Sequence, residues 1–308
     1  MCAALTLWTS VARPQTAASC PPARRLYPAA DSAGVTSHGE TAVDWQSGYP
    51  LVLLTLGNVT GWALLDLGAS LSMITPVYLP GRISAFSPPE PRIAVIGVGG
   101  DAGLFERVRV SHLRSGSIDY GERDILVARE LPLLFGRPVQ AIVGLDLLAT
   151  AGRVRFRRQG AGWRVTLGPQ PASAPPADSV DLALTGALLG ANATVDTSTA
   201  LLVLDTGSFR TFLDPGMAYR ARFDRLKDDD DPPFGVDGRP VPSQTAVVRS
   251  IALGQLRWRD VDVGIARLTS LRPEGHPPTV DGLLGSDLLK RLGAFEVDFR
   301  CGVLRLWR

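Results

Sequence analysis

Two short runs of sequence place a carboxylate in an apolar setting with a glycine two positions later. They are Leu64-Leu65-Asp66-Leu67-Gly68-Ala69-Ser70 and Val203-Leu204-Asp205-Thr206-Gly207-Ser208-Phe209. The two Asp lie 139 positions apart. Two carboxylates held close together cannot both ionise, so they share one proton. The ionised member can then take a proton from water while the protonated member polarises a carbonyl. Such a pair suits hydrolysis by activated water, with no enzyme nucleophile. Gly68 and Gly207 lack a Cβ and so let backbone N–H groups come close to the carboxylates.

Asp-Thr-Gly alone is a common turn tripeptide, so the weight comes from its repetition. Ile142-Val143-Gly144-Leu145-Asp146-Leu147-Leu148 is matched 141 positions on by Leu283-Leu284-Gly285-Ser286-Asp287-Leu288-Leu289. Between these anchors, Gly97-Val98-Gly99-Gly100 begins 31 residues after Asp66, and Gly235-Val236-Asp237-Gly238 begins 30 after Asp205. Three anchors in one order, at nearly equal spacing, define two copies of one unit. Residues 1–41 form an N-terminal segment, 42–168 the first lobe, 169–178 a linker rich in Pro, Ala and Ser, and 179–308 the second lobe.

The elements that must position the two Asp are mostly strands. Alternation and turn residues predict strands over 49–56 and 62–65, joined at Gly57-Asn58, and over 93–98 and 105–110 around a Gly-Gly-Asp turn. In the second copy they predict 179–184 and 199–204 in the role of the first pair, then 245–253 and 261–265. Strands at 154–156 and 295–299 close the copies. The only helices expected are short, 146–151 and 287–292. Each starts at an Asp able to cap it and ends at a Gly (Gly152, Gly293) able to take the left-handed C-cap. Capping also explains Asp146 and Asp287 better than a second carboxylate pair.

Composition is consistent with this. The chain has 308 residues, 45% of them hydrophobic, with 32 Gly and 24 Pro, which favours short strands and turns over long helices. A net charge of +2 with mixed signs gives no nucleic-acid footprint. Three His (His38, His112, His276) and three Cys (Cys2, Cys20, Cys301) form no metal cluster. His112 and His276 match no nucleophile–base arrangement. Cys20 and Cys301 are candidates for a disulfide, and free thiols are equally compatible with the spacing. The acidic run Asp228 to Asp231 reads as a solvated loop. The apolar run Ala3 to Ala12 resembles part of a signal peptide without its basic start, so a periplasmic or secreted location is the expectation. No stretch is long enough for a membrane-spanning helix.

The order of these features (apolar pair, Asp-Thr-Gly-Ser, Gly-rich hairpin, apolar-apolar-Gly before a short helix) resembles the pepsin and retropepsin clan of aspartic proteases. The resemblance covers roughly 250 residues. Short lobes and the run Gly-x-Asp-Leu-Leu make it more similar to bacterial and retroviral retropepsins. It implies an all-β fold of two pseudo-symmetric, closed β-barrel-like lobes with the active site between them. It further implies Asp66 and Asp205 as the catalytic pair, supported by Gly68, Ala69, Thr206, Gly207 and Ser208. Gly97 to Gly100 and Gly235 to Gly238 then match the family's flaps, where glycine supplies the hinge. A peptide or protein is the implied substrate, with no cofactor, and one chain holding both lobes would act as a monomer.

The family's Thr hydrogen-bonds across to the opposite loop. Thr206 can do so, whereas Leu67 cannot, which leaves a one-sided lock. Ser208 is placed to donate to Asp205, while Leu67 and Ala69 beside Asp66 disfavour charge, so the sequence predicts Asp205 ionised and Asp66 protonated. Two other readings stay open: a pseudoprotease binding an extended peptide in the same cleft, favoured by Leu67, and a structural envelope protein using the lobes for assembly.

Overall fold

The computed structural model describes residues 38–79, 93–96, 102–129, 131, 133–134, 136–169, 174–223, 225–234, 240–268 and 280–308. Strands dominate, and the helices are single turns or little more.

In the first lobe, strand Leu51–Leu56 turns at Gly57, whose φ of +60° suits glycine, and pairs antiparallel with Val59–Leu65. Val59–Leu65 ends at Asp66. On its other side it runs parallel to Arg137–Val143, the strand that ends at Gly144. Parallel strands need a long crossover, and here the intervening residues supply it, so Asp66 and Gly144 emerge at one edge. The short strand Met73–Ile74 follows, antiparallel to Arg137–Val143 and parallel to Arg123–Val127. The second lobe repeats the order. Leu188–Val195 pairs with Ser198–Leu204, which runs parallel to Gly282–Leu284. Phe212–Leu213 is antiparallel to that strand and parallel to Leu256–Ala266.

The partner of Ser198–Leu204 differs from the sequence expectation. Residues 179–184 belong to a strand, Asp178–Thr185, but it pairs with Val303–Trp307 and with Leu188–Val195. The role of the first pair falls to Leu188–Val195, whose Gly190, Ala191, Asn192 and Ala193 carry little strand propensity. Small side chains are nonetheless what the site tolerates, since a Cβ on Gly190 would lie 3.0 Å from Leu201 Cδ1.

The first predicted helix is helical over its whole length, Leu145–Leu148 continuing as a 3-10 turn Ala149–Ala151, whereas the second is shorter, Ser286–Leu289. Gly152 does take the left-handed conformation, φ +72°. Gly293 does not; it is pinned by its N–H, which donates to the Trp307 carbonyl at 3.0 Å. A helix over Pro215–Arg220 was not among the expected elements. Its signal was nonetheless in the sequence: Asp214 at the N-cap, accepting from Gly216 N–H at 2.8 Å, then proline at the first helical position.

The lobes share one sheet. Gly39–Val43, Gly162–Leu167 and Arg153–Gln159 from the first lobe continue into Ala294–Asp298, Val303–Trp307 and Asp178–Thr185 of the second. Across the seam Phe156 pairs with Phe295, and their rings stack with centroids 4.8 Å apart, beside Trp45 and Trp163. Buried ion pairs cross the same seam: Arg153 to Asp298 at 2.8 Å and Arg155 to Glu296 at 3.1 Å. Cys301 is disulfide-bonded; Cys2 and Cys20 lie outside the described residues. Among the described residues no helix is long and apolar enough to cross a membrane, and no group of three His, Cys, Asp or Glu could hold a metal ion.

Candidate active site

Each Asp begins its loop in the same way. Asp66 N–H donates to the Val143 carbonyl at 2.9 Å, and Asp205 N–H donates to the Leu284 carbonyl at 3.0 Å. Two parallel strands therefore fix the start of each loop. The far side is fixed too: Leu145 N–H donates to Ala69 O and Ser286 N–H to Ser208 O, both at 2.8 Å. These matched contacts relate the two loops by a pseudo-two-fold axis.

The loops meet across that axis. Gly68 N–H donates to Asp66 Oδ1 at 2.7 Å, and Gly207 N–H reaches over from the other lobe to the same oxygen at 3.2 Å. The carboxyl groups of Asp66 and Asp205 are hydrogen-bonded to each other. Glycine is required on both sides. A Cβ on Gly68 would fall 2.5 Å from Asp205 Oδ1, and one on Gly207 would fall 2.5 Å from Asp66 Cγ. Residues 139 positions apart are thus packed as closely as backbone allows.

The lock across the axis is one-sided. Thr206 Oγ1 donates to the Leu65 carbonyl at 2.7 Å and accepts from Leu67 N–H at 3.0 Å. One fully buried hydroxyl therefore satisfies both a donor and an acceptor of the opposite loop. The Leu67 side chain gives nothing back; also fully buried, it packs into the apolar core instead. Ser286 Oγ braces the arrangement by donating to the Thr206 carbonyl at 2.8 Å. Ser286 is a residue that sequence reasoning passed over, because Leu145 stands in the matching place.

Ser208 does not face the carboxylate as expected. Its hydroxyl donates to the Arg210 carbonyl at 2.7 Å, and a hydroxyl has one proton to give. Only its backbone N–H reaches Asp205. The predicted proton assignment therefore loses the Ser208 hydroxyl as its ground. Burial raises both carboxyl groups above the usual range, but Asp66 collects N–H donors from Gly68, Gly207 and Ala69 as well as the Asp205 hydroxyl. Asp205, which also receives N–H groups from Ser208 and Gly207, is pushed up much further, by burial first, then by the charge of Asp66 and the hydrogen bond it gives to Asp66. The electrostatics leave the charge on Asp66 and the proton on Asp205.

Around the pair, Tyr49 from the first lobe lies 6.0 Å, ring to ring, from Phe209 of the second. Burial first, and then the charge of Asp231, raise its phenol. Arg210 stacks over Phe209 and forms a 3.0 Å ion pair with Asp229. Asp229 was expected in a solvated loop, yet its side chain is buried and also accepts from Ser243 Oγ at 2.7 Å. The remaining predicted residues, Gly97, Val98, Gly99, Gly100, Gly235, Val236, Asp237 and Gly238, lie outside the described residues, as does His276. What frames them is described: Ile93–Ile96 pairs with Ala102–Val110, and Phe234 bridges to Pro240.

Comparison with known proteins agrees with the two-lobed fold. A family model described as Aspartyl protease matches residues 191–288, which contain Asp205, Thr206, Gly207 and Gly285. The crystal structure of an aspartic proteinase from Irpex lacteus superposes with a TM-score of 0.52 at 13% identity, covering 87% of this chain and 96% of that one. A retropepsin-like aspartic protease from Rickettsia conorii matches at a TM-score of 0.30 and 19% identity, covering 42% of this chain and 87% of that one. No curated protein matches the sequence.

Proposed function

We propose that this chain, which has the two-lobed fold of the aspartic proteinases and matches their family model in its second lobe, is an aspartic endopeptidase with Asp66 and Asp205 as its catalytic pair. The observation that carries the reading is one buried carboxyl group from each lobe, hydrogen-bonded to the other, with a glycine N–H arriving from each side of the axis. A buried pair that holds one proton has both a base and an acid ready at the same place.

In this mechanism ionised Asp66 removes a proton from a water molecule as its oxygen attacks the scissile carbonyl carbon. Asp205 gives its proton to the carbonyl oxygen, and a tetrahedral diol results. Collapse of the diol returns one hydroxyl proton to ionised Asp205, and the leaving nitrogen takes the proton held by Asp66 as the C–N bond breaks, which restores the starting pair. No enzyme atom becomes covalently attached. The role of Thr206 is to hold the loops so that this exchange needs little reorganisation.

The test is hydrolysis of a peptide library by the wild type, Asp66→Asn and Asp205→Asn. Both variants are expected to lose at least a thousandfold in kcat while remaining folded by circular dichroism. Wild-type turnover in either would show that the pair does not share the chemistry. Carboxyl-carbon NMR with each Asp labelled in turn is expected to place the neutral resonance on Asp205 near neutral pH; because the two titrate together, only such a site-resolved signal separates them.

A further inference from the structure

Asp146 and Asp287 are not the N-cap residues the sequence suggested; they sit in the first turn, where Leu147 N–H donates to Asp146 Oδ1 at 2.9 Å and Leu288 N–H donates to Asp287. The N-cap residues are Gly144 and Gly285, and neither receives a side-chain cap. The two carboxylates also turn toward the loops that carry the catalytic pair. In the first lobe Ser72 Oγ donates to Asp146 Oδ1 at 2.6 Å and Ser72 N–H donates to Oδ2 at 3.1 Å. The same Ser72 hydroxyl accepts from Gly144 N–H at 2.9 Å. In the second lobe Thr211 Oγ1 donates to Asp287 Oδ1 at 2.8 Å and accepts from Gly285 N–H at 3.1 Å, and the backbone N–H of Thr211 also donates to Asp287.

Each network closes a loop in space. Asp66 is held by Val143 and Ala69 by Leu145, so Gly144 sits between the two anchors of the first loop. Leu284 holds Asp205 and Ser286 holds Ser208, so Gly285 sits between the anchors of the second. A hydroxyl that grips the glycine and is itself gripped by a buried carboxylate fixes where both anchors lie. A carboxylate that only accepts imposes one direction on the hydroxyl, leaving its oxygen free to accept from the glycine.

We propose that Asp146 and Asp287, acting through Ser72 and Thr211, are positioning residues that set the separation of the Asp66 and Asp205 carboxyl groups. The inference rests on the catalytic reading above. A displacement of about 1 Å in reacting groups can lower a rate a hundredfold, so the effect falls on kcat.

The experiment compares Thr211→Val, Asp287→Asn and Thr211→Ser. Thr211→Val removes the hydroxyl at nearly constant volume; Asp287→Asn puts an amide nitrogen against one of the donors. Both are expected to lose at least tenfold in kcat with KM within twofold. Thr211→Ser is expected to keep wild-type kcat, because Ser72 already does this task in the other lobe. Carboxyl-carbon NMR of labelled Asp66 and Asp205 should show the pair's titration steps displaced in the first two variants and unmoved in the third. Unchanged titration in Thr211→Val and Asp287→Asn, both folded, would overturn the inference. The NMR readout needs no turnover: a wild type that cleaves no peptide defeats the catalytic reading, while the titration steps still decide whether these residues position the pair.

Discussion

At the scale of single residues, direction of hydrogen bonding matters more than residue type. Thr206 and Ser208 are both hydroxyls beside Asp205, yet one crosses to Leu65 and the other turns to Arg210. Their substitutions should therefore differ. Ser208→Ala is expected to leave the acid limb of the pH–activity profile in place, since its hydroxyl gives nothing to the carboxylate. Thr206→Val strands the buried Leu65 carbonyl and Leu67 N–H together; each unsatisfied group costs about 1–3 kcal/mol, read as a loss of unfolding free energy in urea. An acid limb that moves in Ser208→Ala would mean that the hydroxyl reaches Asp205 in solution.

At the scale of elements, the short helix after Gly285 carries a titration that can be followed separately. Burial raises the Asp287 carboxyl to about 6 against hydrogen bonds from Thr211 and Leu288. Between about pH 4 and pH 6 the folded chain holds a proton that an unfolded Asp, near 3.9, has released. Stability from this group is therefore present at the lower pH and declines as pH rises through 6. Asp287→Asn should flatten that decline in urea unfolding measured at pH 4, 5 and 6. An unaltered slope would place the titration elsewhere.

At the scale of the whole molecule, the shared sheet fixes how the lobes meet. Asp298 is fully buried and accepts from Arg153 at 2.8 Å and Arg305 at 3.1 Å; Glu296 takes Arg305 at 2.8 Å and Arg155 at 3.1 Å. Removing one partner of a buried pair leaves the others uncompensated. Asp298→Ala is expected to cost about 3–5 kcal/mol of unfolding free energy, measured by denaturant titration. Because the seam joins the lobes, peptidase activity should fall at a lower denaturant concentration in this variant than in the wild type. Equal midpoints would mean that the seam does not hold the lobes together.

The sequence by itself determined what repeats and what is local. Glycine two places after each Asp, the apolar-apolar-Gly run before each short helix and apolar strands are written in residue type and spacing, and they specify two copies of one unit. The Asp214-Pro215 start of a helix was equally legible. Tertiary structure decided the rest, because it depended on partners far away in the chain. Residue type cannot say that Leu188–Val195, with its run of small residues, is the buried partner of the Asp205 strand; only packing against Leu201 and its neighbours does. It could not say that the Asp146 and Asp287 carboxylates, besides holding a first-turn N–H of their own helices, reach Ser72 and Thr211, since those partners are far away in the chain. Nor could it say which Asp keeps the proton. That depends on where each hydroxyl points and how many N–H groups converge on one oxygen from both lobes, which become fixed only when the two loops have met.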